Sequence, residues 1–128
     1  MKMATLTRNE KMLAGYRCYG AHPEARPCDA EEIIRQIGAM TLLGVSGGRW
    51  FRIYNAQHSN KREVGVFMPC GSARGVEVVL NHLDLYDVRR VRLITRGEKA
   101  GEIVVESETL NIYCDQVAEV VYGASCWK

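Results

Sequence analysis

"TLLGVSGGRWFRIY", residues 41–54, sets two apolar, aromatic-rich runs on either side of a glycine pair, with an arginine and a tryptophan directly after it. A phosphate-cradling loop needs its glycines followed by a helix whose N-terminal amides meet the anion. Here Trp50–Tyr54 alternates like a strand instead, and the Lys-Ser/Thr pair of a nucleotide-hydrolysing loop is absent. The stretch reads as a β-hairpin: strands Leu42–Val45 and Trp50–Tyr54, turning at Gly47-Gly48. In that register Val45 faces Trp50, and Phe51 lies across the bare backbone of Gly44, the cover a strand glycine often receives. Leu43, Val45, Trp50, Arg52 and Tyr54 then share the opposite face.

Upstream, Asp29 is placed to cap a helix, with Glu32 three residues on to complete a capping box. Ile33, Ile34 and Ile37 form its apolar stripe and Gly38 its stop. Downstream, Glu63–Met68, Val76–Asn81, Val88–Thr95 and Gly101–Glu106 carry strand-like apolar patterning, separated by turn residues. A second helix is expected over Glu108–Tyr122, capped by Ser107 and stopped by Gly123. The loops are mostly too short for parallel crossovers. The fold class is therefore α+β: an antiparallel meander of about five or six strands, with an N-terminal and a C-terminal helix packed on one face. Residues 1–28 read as a weakly basic, partly ordered arm whose Leu13, Tyr16 and Tyr19 can pack on the domain, and 29–128 as one domain. The segment 55–62, "NAQHSNKR", reads as a polar loop.

A length of 128 residues, 47% hydrophobic and 25% charged, fits one ordinary domain. Lys plus Arg at 17 against Asp plus Glu at 15 leaves a net charge of only +2, which offers no broad field for a polyanion. The five cysteines, Cys18, Cys28, Cys70, Cys114 and Cys126, are odd in number and lack metal-ligand spacing, so free thiols in a reducing cytoplasm are expected, with no metal or cofactor. No apolar run approaches the roughly 20 residues of a membrane helix, and Met1–Glu10 is too polar for a signal peptide.

Three features could carry chemistry. Asn81–Asp87 gathers an imidazole and two carboxylates, but one short stretch splays alternate side chains apart, and a polar turn is the better reading. Cys70 in "PCGSARG" could be an exposed thiol activated by Arg74, with His58 or His82 near; a buried structural cysteine is the commoner outcome. The sheet's faces say more. One is expected to hold Val64, Val66, Met68, Val76, Val78, Leu80, Val91, Leu93, Ile103 and Val105 beneath the helices. The other would carry Glu63, Phe67, Glu77, Val79, Arg90, Arg92, Ile94, Glu102, Val104 and Glu106, with Trp50, Arg52 and Tyr54 nearby.

Arginine-aromatic clusters stack bases in single strands and are also enriched in protein interfaces. Glutamates among the arginines, with Arg90 and Arg92 facing Glu102 and Glu106, favour a protein partner or a second copy of the chain over nucleic acid. The alternative of a plain solvent-facing surface stays open. The candidate partner-binding residues are Arg49, Trp50, Arg52, Tyr54, Arg90 and Arg92, and no catalytic residue is assigned.

Gln36-Ile37-Gly38, Thr41–Gly48, Val76–Leu80, Leu83–Val88 and Tyr113–Val117 together give Ile33–Val121 a pattern that resembles small, uncharacterised proteins of bacteriophages and prophages. The resemblance implies a phage origin and no settled activity; the arm 1–28 and the arginine-rich strand at 89–92 depart from it. The function expected is a small accessory binding protein in the bacterial cytoplasm. It would occupy a host protein, such as a defence component, or assemble as a homodimer. A single-strand nucleic-acid binder using Trp50, Arg52, Tyr54 and the basic arm, and an enzyme using Cys70 or Asn81–Asp87, are the alternatives.

Overall fold

Thr7 and Glu10 exchange hydrogen bonds across the first turn of helix α1 (Arg8–Cys18): the Thr7 amide donates to Glu10 Oε1 at 3.0 Å, and the Glu10 amide to Thr7 Oγ1 at 3.1 Å. That is a complete capping box. The computed structural model describes residues 7–18, 22, 25–55 and 62–126. Tyr19, His58 and most of the 55–62 loop lie outside the described residues.

Helix α2 (Ala30–Ile37) starts as its sequence indicates, with Asp29 Oδ1 accepting from the Glu31 amide at 3.0 Å. Glu32 does not close a box; its carboxylate takes Arg35 and Gln36 of the next turn instead. Ile33 and Ile37 are buried, and Gly38, at φ 88°, ends the helix.

The Leu42–Val45 strand is not formed. Ala39–Ser46 is a helix, α3, which buries Leu42, Val45 and Ser46 at helical spacing. Gly47 adopts the left-handed conformation at φ 66°, and its amide donates to the Leu43 carbonyl at 2.9 Å, so the first glycine of the pair caps a helix rather than turning a hairpin. Short apolar runs do not separate helix from strand by period alone, and here contact with the sheet decides. Phe51 therefore never covers Gly44, which lies against Tyr122.

The strands are β1 (Phe51–Tyr54), β2 (Glu63–Gly71), β3 (Arg74–Leu80), β4 (Tyr86–Leu93) and β5 (Ile103–Ile112), followed by helix α4 (Val117–Ser125). They pair antiparallel in the order β1-β2-β3-β4-β5, a five-stranded meander in an α+β fold. The C-terminal helix is shorter than its pattern indicated: residues 108–112 extend β5, Ser107 pairs with Arg90 inside the sheet, and Leu110 and Tyr113 are exposed.

Both faces of the sheet are covered. Helices α2, α3 and α4 lie over Val66, Met68, Val76, Val78, Val88 and Ile112. Helix α1, from the segment read as an arm, lays Leu13, Ala14 and Cys18 on Ile53, Val64, Phe67, Val79, Val91 and Leu93 on the other face. Val78 sits opposite Val88, so Val91 and Leu93 point away from the Val76–Val78 side, contrary to the single apolar face expected. A register shift at Ile53/Tyr54 likewise turns Val64 to the α1 side. An aromatic cover over glycine does exist: the Phe67 ring lies where a Cβ of Gly75 would stand.

Candidate functional site

Helix α1 crosses the sheet from β4 to β1, and where it meets β1 the two build a groove. Lys11, Ala14, Gly15 and Cys18 form the helix wall, and Trp50, Phe51, Arg52 and Tyr54 the strand wall, around a volume of about 400 Å³. The helix wall falls at i, i+3, i+4 and i+7, and its small residues let a neighbouring backbone come close. Among the described residues strand β1 pairs only with β2, so its outer edge borders this groove. Lys11 is exposed and makes no ion pair among the described residues.

The strand wall is preset by charge. The Arg52 guanidinium stacks over the Trp50 ring at 5.0 Å and reaches Glu63 at 2.6 Å and Glu31 at 2.8 Å. Trp50 packs half-buried against the three-helix core. Arg49 leaves this cluster: it pairs with Glu10 at 2.9 Å and donates from Nε to the Ser46 carbonyl at 3.2 Å, tying the α3 cap to α1. Burial pushes the Glu10 carboxyl up, but bonds from Arg49 and Thr7 outweigh it and hold it below its ordinary 4.5.

The helix wall is locked by a buried charge. Glu77, expected on an open face, is fully buried under α1 and accepts from both Nε and Nη2 of Arg17. His22 Nε2 stands 3.0 Å and Arg89 Nη1 4.0 Å from the same carboxylate. Burial raises its pKa, but His22 and Arg17 together bring it below 4.5.

Arg90 and Arg92 are not part of the Trp50 cluster. They sit on β4, three strands and about 14 Å from β1, and both close on Glu106, as does Arg74 of β3. Glu102 lies beyond them, exposed in the β4–β5 turn region. The expected single face of glutamates, arginines and aromatics is thus divided: Phe67, Glu77 and Val79 lie under α1, and Arg90 and Arg92, paired with Val76 and Arg74, belong to the opposite face.

Cys70 is half-buried near the end of β2, and burial pushes its thiol up to about 12, away from a reactive thiolate. Burial also raises Cys18 and Cys28 to about 12. In Asn81–Asp87, the Asn81 side chain is fully engaged: Oδ1 accepts from the Leu83 and Leu85 amides at 2.8 and 3.2 Å, and Nδ2 donates to Asp87 and Asn111 at 2.8 and 2.9 Å. The block is a turn lock, and Asp84 pairs with Arg26 at its surface. Among the described residues no three His, Cys, Asp or Glu side chains group closely enough to hold a metal ion, and no helix is long and apolar enough to cross a membrane.

No protein-family model, curated protein or solved structure matches the chain. The groove-forming residues Lys11, Ala14, Gly15 and Cys18 were not among the candidates read from sequence, although Thr7-Arg8-Asn9-Glu10 spells the capping box that starts their helix. Arg74 entered the sequence reading only as a neighbour of Cys70, and its partnership with Arg90, Arg92 and Glu106 depends on strand register.

Proposed function

We propose that the protein is a non-catalytic binding protein that takes an extended segment of another protein alongside β1 and so occupies that partner. The observation that carries this is the groove itself: an edge strand flanked by a helix with small residues facing it, the arrangement in which a peptide adds to a sheet through main-chain hydrogen bonds. Trp50 supplies an amphipathic anchor at the rim, and Lys11, exposed and without an ion pair among the described residues, favours an acidic residue in the incoming segment. Arg52 already faces two carboxylates, which weighs against phosphate-backbone binding at Trp50, Arg52 and Tyr54. The resemblance to small phage-encoded proteins extends the proposal to a host protein, for instance a defence component, in the bacterial cytoplasm; that extension rests on the resemblance alone.

The test fills the groove without harming the helix. Gly15 is exposed inside α1 with open space around its Cβ position, so Gly15→Leu gains about 0.5–1 kcal/mol of helix preference while occupying the groove. Partner capture from nuclease-treated bacterial lysate should be lost in Gly15→Leu and in Trp50→Ala/Arg52→Ala while both variants stay folded. Undiminished capture by Gly15→Leu sinks the proposal. A concentration-dependent doubling of mass in light scattering, abolished by Gly15→Leu, would make the occupant a second copy. A salt-sensitive shift of single-stranded oligonucleotides would transfer the site to nucleic acid.

A further inference from the structure

Helix α1 shows only one sign of charge to solvent. Its acid, Glu10, is buried and engaged by Thr7 and Arg49, and Arg17 is buried against Glu77. Arg8 and Lys11 are exposed, and neither makes an ion pair among the described residues. They stand one turn apart near the N-terminus of the helix, where they repel each other and both oppose the positive end of the helix dipole. Two cations that cost helix stability and meet no carboxylate are what a binding surface leaves in a sequence.

The β1 groove gives these cations an order. From Lys11 its helix wall runs along Ala14, Gly15 and Cys18, about 10 Å at 1.5 Å per residue, and none of the residues lining the groove is a carboxylate. Arg8 lies one turn beyond Lys11 and borders a second hollow of about 310 Å³, whose lining residues, Met12 and Leu93 among them, likewise include no carboxylate. Cβ atoms three residues apart on a helix are about 5–6 Å from each other. Alternate residues of a strand point the same way at nearly that spacing, about 6.7 Å, whereas adjacent residues point to opposite sides. Acidic side chains at positions i and i+2 of an incoming strand therefore match Arg8 and Lys11. The charge does not recur past Lys11: Ala14, Gly15 and Cys18 offer a polyanion no continuation, but they suit small or apolar side chains.

We infer that Arg8 and Lys11 set the sequence the β1 groove selects in a protein partner: two acidic residues at alternate positions, one meeting each cation, flanked on the Lys11 side by small or apolar residues against Ala14 and Gly15. This selectivity rests on strand addition at β1, as proposed above. It also disfavours a second copy that offers its own β1, since that strand brings Arg49 and Arg52 and no acid.

The experiment selects ribosome-displayed random linear peptides on the immobilised full chain. Peptides retained by the wild type and lost by Gly15→Leu should carry Asp or Glu at two alternate positions beside a small or apolar run. Arg8→Gln/Lys11→Gln should weaken them about 2- to 30-fold, the worth of two exposed ion pairs, with a difference that shrinks as salt is raised. Its Tm should be unchanged or higher, because a repulsion is removed. Arg8→Glu/Lys11→Glu should instead enrich Lys or Arg at alternate positions. Peptides that need an open Gly15 but lack the acidic pair, carry it at adjacent positions, or bind Arg8→Gln/Lys11→Gln equally well overturn the inference and leave the groove standing. A single-stranded oligonucleotide held more tightly than the acidic peptides overturns it in favour of nucleic acid. If no peptide distinguishes wild type from Gly15→Leu, strand addition at β1 falls and this selectivity with it.

Discussion

Replacing Glu77 by glutamine asks how firmly α1 is held, and hence whether the groove wall is a fixed part of the fold. The carboxylate is fully buried and faces Arg17, His22 and Arg89, so its removal leaves positive charge under the helix with no anion to meet it. Breaking one side of a buried pair costs about 3–5 kcal/mol. A domain of this size has roughly 6–15 kcal/mol in all. At about 3–5 °C per kcal/mol, Tm should fall by roughly 10–20 °C. Replacing both partners with apolar residues, Arg17→Met/Glu77→Leu, should recover much of the loss.

The pH dependence has a definite sign. The folded-state pKa of Glu77 lies below 4.5, so the folded chain binds fewer protons there than the unfolded chain. Its contribution is complete above the unfolded value near 4.5 and disappears as pH falls through the lower folded value. Urea melts from pH 7 down to pH 3 should show the wild-type advantage over Glu77→Gln constant above about pH 5 and shrinking below it. Glu10 and Glu106, also lowered, leave an acid slope common to both proteins. A loss under about 1 kcal/mol at pH 7, or an advantage that does not shrink in acid, would refute the reasoning.

Gly44→Ala should stabilise by roughly 0.5–1 kcal/mol, since the position is helical and a Cβ meets only Tyr122 Cε1 at 3.7 Å; a loss in a thermal melt would contradict the helix. Gly47→Ala, at φ 66°, should cost about 1 kcal/mol by the same measurement. Gly75→Ala drives a Cβ into the buried Phe67 ring, with the Met68 carbonyl 3.1 Å away, and should cost about 1–3 kcal/mol, relieved in part by Phe67→Leu. Native thiol titration should label exposed Cys114 and Cys126 first and Cys70 only slowly; rapid Cys70 labelling would revive it as a nucleophile.

The strands from Glu63 onward were legible because alternation, turn residues and short loops agree with one another. Where the reading failed, a tertiary contact decided. Thr41–Ser46 has no charged residue and only one turn of helical spacing on each side of Leu42, so the same letters suit a buried strand or a helix pressed on a sheet. Leu110 to Val121 offered helical spacing across a boundary, and the bulge near Asn111, at φ 59°, carried the strand through its first residues. The face assignment failed through register: β4 pairs so that Arg90 stands opposite Val76 and Val91 opposite Gly75, which exchanges the sides expected for Arg90 and Val91. Of the site, Trp50, Arg52 and Tyr54 were visible from their alternation, whereas the helix wall required reading residues 8–18 as a helix within the partly ordered arm.

That omission changes where a partner can act. A sheet covered by one layer presents a face, but this one is covered by α2, α3 and α4 on one side and α1 on the other, leaving edges and ends. The two edges are not equivalent. Strand β5 is long and exposed, yet register shifts at Arg90/Val91 and Tyr86/Val88 break its line, and Glu106 and Glu108 line it with charge. Bulges and charges of this kind keep an edge from pairing with another strand. Strand β1 is short, its one irregularity falls at Tyr54, and it carries a groove rather than a guard. The sheet therefore guards the edge with more room and leaves the one beside a helix without such a guard, which supports the proposal that a partner adds at β1.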